Sequence, residues 1–147
     1  MNDRFNFKLQ RVLDYREYVK DKKCEELAKY REMLELEKNT LHRLQNQKKT
    51  VASEMDEKCS EGVKVAYLVQ CSRYMNRLKD FIVRQTANVS DMEKQVEICR
   101  DQLIDASKKK EMMDRLKARH YERFVYHLSK EQEKQLEDLV NNRRSTI

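Results

Sequence analysis

From Leu68 to Met113, apolar side chains recur at alternating steps of three and four residues. The positions are Leu68, Cys71, Met75, Leu78, Ile82, Gln85, Val89, Met92, Val96, Cys99, Leu103, Ala106, Lys110 and Met113, and twelve of the fourteen are apolar. Charged and polar residues fill most places between them. A heptad spacing held this long predicts one long helix whose narrow apolar stripe lies on another helix. The stripe is soft, with Met and Cys where a rigid zipper carries Leu and Ile, so it can repack against more than one surface.

The segment before it carries a weaker seam: Leu9, Leu13, Arg16, Lys20, Lys23, Leu27, Tyr30, Leu34, Glu37, Leu41, Leu44, Lys48, Val51 and Met55. Arg16, Lys20 and Lys23 are consecutive failures, and Val12 and Val19, each one position before a seam site, shift the stripe sideways there. This pattern predicts a helix from about Asp3 to about Lys58, capped by the side chain of Asn2 or Asp3. The break at about 59–64 contains Gly62, the sole glycine. Glycine enters left-handed backbone without steric cost, as a helix C-terminus often requires.

A short connection makes consecutive helices antiparallel neighbours. The expected fold is therefore all-α: residues 1–147 form a single helical hairpin, an antiparallel two-helix coiled coil, with the second helix over about 65–141. Folding about Gly62 sets Phe5 beside Arg119 and leaves the chain from about His120 without a partner. About 20 helical residues then project roughly 30 Å beyond the first helix. The seam changes there, running Met113, Leu116, His120 or Tyr121, Phe124, Leu128, a stutter that locally unwinds supercoiling. Leu136, Leu139 and Val140 continue an apolar face that the hairpin does not bury, and the tail from Asn141 is expected to fray.

Composition narrows the alternatives. The 147 residues are 39% charged, with one Gly and no Pro, which leaves little punctuation for anything except long helices. No apolar run approaches the ~20 residues that cross a bilayer. Met1–Leu13 lacks the apolar block of a signal peptide, so the expected compartment is the cytosol. The net charge of +6 is concentrated where both termini meet: 1–23 and 108–147 hold an excess of Lys and Arg, whereas 24–107 is near balance. That end is expected to approach an acidic partner.

Candidate chemistry is sparse. Cys24, Cys59, Cys71 and Cys99 show no metal-ligand spacing and read as thiols in a reducing compartment. Cys24 and Cys99 fall opposite each other, but helix backbones about 8–10 Å apart usually forbid a disulfide. His120 and His127 are one heptad apart, too far for one metal ion and better suited to seam or partner contacts. Lys108–Lys110 with Arg115, Lys117, Arg119 and Arg123 is a basic run, but Glu111, Asp114 and Glu122 interrupt it. It reads as a solvated face with pairs such as Glu111–Arg115 rather than a nucleic-acid site. Tyr67, Tyr74 and Phe81 form an aromatic edge one position before the seam, either flank packing or a docking strip. With Leu78 and Gln85, Tyr74 and Phe81 make one helical face. A phosphate-cradling loop needs more than one Gly, and two straight helices offer no dry pocket, so no catalytic site, cofactor or metal is expected.

Both ends of the chain resemble a known family. Phe5-Asn6-Phe7-Lys8-Leu9-Gln10-Arg11-Val12-Leu13-Asp14-Tyr15-Arg16 is similar to the opening of FliJ-family proteins of the bacterial flagellar export apparatus. Lys110-Glu111, Leu116-Lys117, Tyr121-Glu122 and Lys130-Glu131-Gln132-Glu133-Lys134-Gln135-Leu136-Glu137-Asp138-Leu139 resemble its C-terminal pattern. The family's Leu-Asp-Glu signature stands here as Leu136-Glu137-Asp138. The resemblance implies a non-enzymatic coiled coil like the central stalk of rotary ATPases. Its termini end enters the hexameric ring of the flagellar export ATPase and promotes ring assembly and activity. It implies further partners in the cytosolic part of the export gate and in export chaperones, at the cytoplasmic face of the membrane, with a monomer when free. Leu9, Val12, Leu13, Arg16, Lys130, Gln132, Leu136 and Leu139 would then meet the ATPase, and Tyr74, Leu78, Phe81 and Gln85 the gate. The same architecture serves the stalk of an injectisome or of a vacuolar/archaeal-type rotary ATPase. A homodimeric coiled-coil scaffold or adaptor is the alternative of a different class.

Overall fold

In a computed structural model describing residues 4–146, helix α1 (Gln10–Glu61) and helix α2 (Val65–Ser145) pack against each other, with no strand among the described residues. The fold class is the all-α helical hairpin that the two seams predict. Every seam position from Leu68 to Met113 is buried or half-buried, and among the other residues of that interval only Ser107 joins them.

The start of α1 differs from expectation. It begins at Gln10 rather than near Asp3, and residues 4–9 are not helical. The expected caps, Asn2 and Asp3, lie outside the described residues. The helix starts instead from a turn in which the Gln10 amide donates to the Phe7 carbonyl at 3.1 Å and the Leu13 amide to the Leu9 carbonyl at 3.0 Å.

Between the helices stand only Gly62, Val63 and Lys64. Gly62 has φ +89°, left-handed backbone that a side chain at this position would strain. The Ser60 hydroxyl donates back to the Glu57 carbonyl at 2.6 Å in the last turn of α1. Lys58, in the last turn, sits 4.5 Å from the Tyr67 ring centre and ties the two helix ends together. A hydrogen bond with Tyr67 raises the Lys58 pKa above its ordinary value.

Packing divides the chain into two compact units, Lys23–Gln102 and Met1–Lys22 with Leu103–Ile147. In the first, Leu27, Leu34, Leu78, Val89 and Cys99 are buried. Burying side chains of this size stabilises by about 1.5–3 kcal/mol each. Lys23 occupies its seam site by laying its stem along the interface, while its ammonium donates to Glu26 and Gln102 at 3.2 Å each. Cys24 is exposed, Cys99 is buried and both are free thiols, so the opposed pair is not bridged.

In the second unit, Phe7, Leu13 and Ala106 are buried. Lys110 enters the seam with its ammonium 3.9 Å from both Glu17 and Asp114. Phe5 does not lie beside Arg119; its ring meets Tyr121 at 5.2 Å and Phe124 at 5.6 Å between centres. Non-helical chain covers more distance per residue than the ~1.5 Å of a helix, so the arm reaches further along α2. Beyond Met113 the half-buried positions include Leu116, His120, Phe124 and Leu128, the stutter with His120 rather than Tyr121 in the seam. From Ser129 to Thr146 every residue is exposed. The tail nevertheless stays helical to Ser145 instead of fraying from Asn141. The Ser145 and Thr146 hydroxyls donate to the Asn141 and Asn142 carbonyls at 3.2 and 2.6 Å, and Arg143 and Arg144 complement the helix dipole.

Candidate functional site

The unit that holds both termini presents two separate surfaces. Leu9 and Val12, each 39% exposed, stand before and in the first turn of α1, and Arg16 is half-buried one turn on. Leu13, expected to meet a partner, is buried at 6% in the seam. Lys130, Gln132, Leu136 and Leu139 all lie on the exposed part of α2. These two sets do not merge. The arm meets α2 through His120, Tyr121 and Phe124, and Leu136 lies about 18 Å further along the helix axis.

The exposed part of α2 is chemically distinct. Leu136, Leu139 and Val140 are 64%, 63% and 51% exposed and share one helical face. Together with Asn142, Arg143 and Thr146 they line a shallow apolar groove with a basic edge. No described residue of the unit outside this stretch covers it. Lys130, one end of this stretch, is held by Glu133 at 3.1 Å.

The other unit carries the aromatic edge. Tyr74 and Phe81 are 45% and 50% exposed. Leu78 and Gln85, expected on the same docking face, turn into the seam at 3% and 8% exposure. The heptad pattern already lists both as seam sites, and burial wins over the outward reading. The surface open to a partner is therefore Tyr74 and Phe81. Tyr74 also lines a shallow polar cleft with His42, Arg43 and Gln47.

The basic run is partly neutralised on its own helix: Lys109 pairs with Asp105 at 3.1 Å and Arg115 with Glu111 at 2.7 Å. Among the described residues no group of His, Cys, Asp and Glu is placed to hold a metal ion. The arm was not legible as a site. Phe5 and Phe7 pack on α2, Phe7 edge-on to His120 at 5.5 Å. Their alternation with Asn6 and Lys8 is the period-two signal of an extended segment.

Residues 5–145 match the family model described as Flagellar FliJ protein. Searches among curated proteins and among solved structures returned no significant match.

Proposed function

The chain belongs to the FliJ family, a component of the flagellar export apparatus; from that premise we propose that it serves, without catalysis of its own, as the central stalk of the export ATPase. The observation that carries this reading is the exposed stripe of Leu136, Leu139 and Val140, on a stretch of helix that no other described residue of its unit covers. A helix that exposes a regular apolar face has a partner of matching shape, and a ring pore lined by subunits supplies one on all sides. The excess of Lys and Arg toward both termini suits an acidic lining. The stalk then favours ring assembly and turnover by touching subunits differently in their different states, without doing chemistry itself.

In the same reading Tyr74 and Phe81 dock on the cytosolic part of the export gate, and export chaperones are handed over along the hairpin. No helix among the described residues is long and apolar enough to cross a membrane. The protein works at the cytoplasmic face through these contacts. The test is the double substitution Leu136→Asp with Leu139→Asp. Both side chains are exposed, so the helical circular dichroism stays unchanged while stimulation of the export ATPase falls. Undiminished stimulation removes this stripe from the ATPase contact.

The same stripe favours one other reading, a homodimer that pairs two copies of it. A sedimentation mass that rises with concentration and is held at the monomer by Leu139→Asp supports the homodimer; a constant monomer mass supports the stalk.

A further inference from the structure

The N-terminal arm and α2 form a surface cleft of about 390 Å3. Its walls are the Phe5 and Phe124 rings, the His120 and His127 imidazoles, Lys8, Arg123 and Asn6. Five of these seven side chains carry a hydrogen-bond donor, and among the described residues no carboxylate lines the cleft. No ion pair among the described residues involves Lys8, Arg123 or His127. Some other cations of this unit are engaged, Lys109 with Asp105, Arg115 with Glu111 and Lys130 with Glu133. Unused donors are thus gathered around one concave, aromatic-floored spot. An anion there gains charge-assisted hydrogen bonds without displacing an internal partner.

The shape selects the kind of anion. The Phe5 and Phe124 rings already touch, at 5.6 Å between centres, which closes the floor and leaves no slot for a flat ring to enter. Arg123 and His127 are one helical turn apart, about 6 Å along the axis. Alternate residues of an extended chain repeat at about 6.6 Å. We propose that this cleft docks an acidic peptide segment of a partner protein, with carboxylates on alternate residues meeting Arg123 and His127, and Lys8 closing from the arm. The proposal shares with the stalk reading the premise that this end meets an acidic partner, but the two fail separately, because peptide binding is measured without the ATPase.

The test uses the full chain and a fluorescein-labelled decapeptide of alternating Glu and Ala, followed by anisotropy at low ionic strength. Lys8→Gln with Arg123→Gln weakens binding by about fivefold, as two exposed charge contacts should. Lys108→Gln with Lys109→Gln, which removes the same charge elsewhere, changes it by less than about twofold. Equal weakening by both pairs means that net charge alone attracts the peptide and overturns the proposal. So does the absence of binding. Inorganic tripolyphosphate serves as competitor. Displacement of the peptide by tripolyphosphate at far lower concentration than by unlabelled peptide reassigns the cleft to phosphate and also overturns it.

Discussion

The Gln85 side-chain amide donates to the main-chain carbonyl of Glu37 at 2.9 Å and to the Glu37 carboxylate as well. Gln85 is 8% exposed, in a seam that is otherwise largely apolar around it. Sliding one helix by a heptad would set it against Tyr30 or Leu44 and leave its amide without the carboxylate acceptor. A buried polar pair set among apolar seam neighbours fixes register, as buried polar residues do in coiled coils. Gln85→Ala is predicted to lower stability by about 1–2 kcal/mol, the cost of a lost partly buried hydrogen bond and its packing. Urea unfolding followed by circular dichroism measures this, and a midpoint equal to that of the parent chain contradicts the role.

Phe7 carries the arm. It is 4% exposed and packs edge-on against His120. Phe7→Ala is predicted to cost about 2–3 kcal/mol, at or just below the usual range for a buried aromatic because an arm can partly close the gap. Leu9→Ala, at a side chain already 39% exposed, costs less than about 1 kcal/mol. Hydrogen exchange locates the effect: protection falls around Leu116–Phe124 in the Phe7 variant. Uniform loss across α2 would show that the arm does not act locally.

The contrast between these two residues shows what the sequence makes legible. Seam stepping places Leu68 through Met113 inward without error, because a heptad repeat and a helix surface share one geometry. It also places Arg16, Lys20 and Lys23 at half-buried sites that their charges argue against, since aliphatic stems cover the seam while the ends reach solvent. It fails before Gln10. Stepping back in helical register selects Leu9, whereas the chain there is not helical and buries Phe7 instead. It also cannot separate a seam residue from a docking residue on one face: the resemblance implies partner contacts at Leu13, Leu78 and Gln85, and all three are buried in the seam. Exposed stripes such as Leu136–Leu139–Val140 are readable, because the first helix is too short to reach them and they stand exposed among the described residues.

Tyr74 and Phe81 give a prediction for the other unit. Both are about half exposed, so Tyr74→Ala with Phe81→Ala removes little interior packing. The double variant is predicted to keep its thermal unfolding midpoint within a few degrees, to bind the export ATPase as before and to lose affinity for the cytosolic part of the export gate by about tenfold or more. Calorimetric titration with each partner separates the outcomes. Parallel loss of both affinities would trace to the fold and not to a docking strip.

The stalk reading is tested most directly by ATP turnover of the flagellar export ATPase, measured with increasing amounts of the full chain and of a chain ending at Ser129. Every residue that the shorter chain lacks is exposed up to Thr146, so the packed seams are left intact. The account predicts saturable stimulation by the full chain and its loss in the shorter one, with equal helicity per residue. Equal stimulation by both, or none by the full chain at saturation, would contradict it.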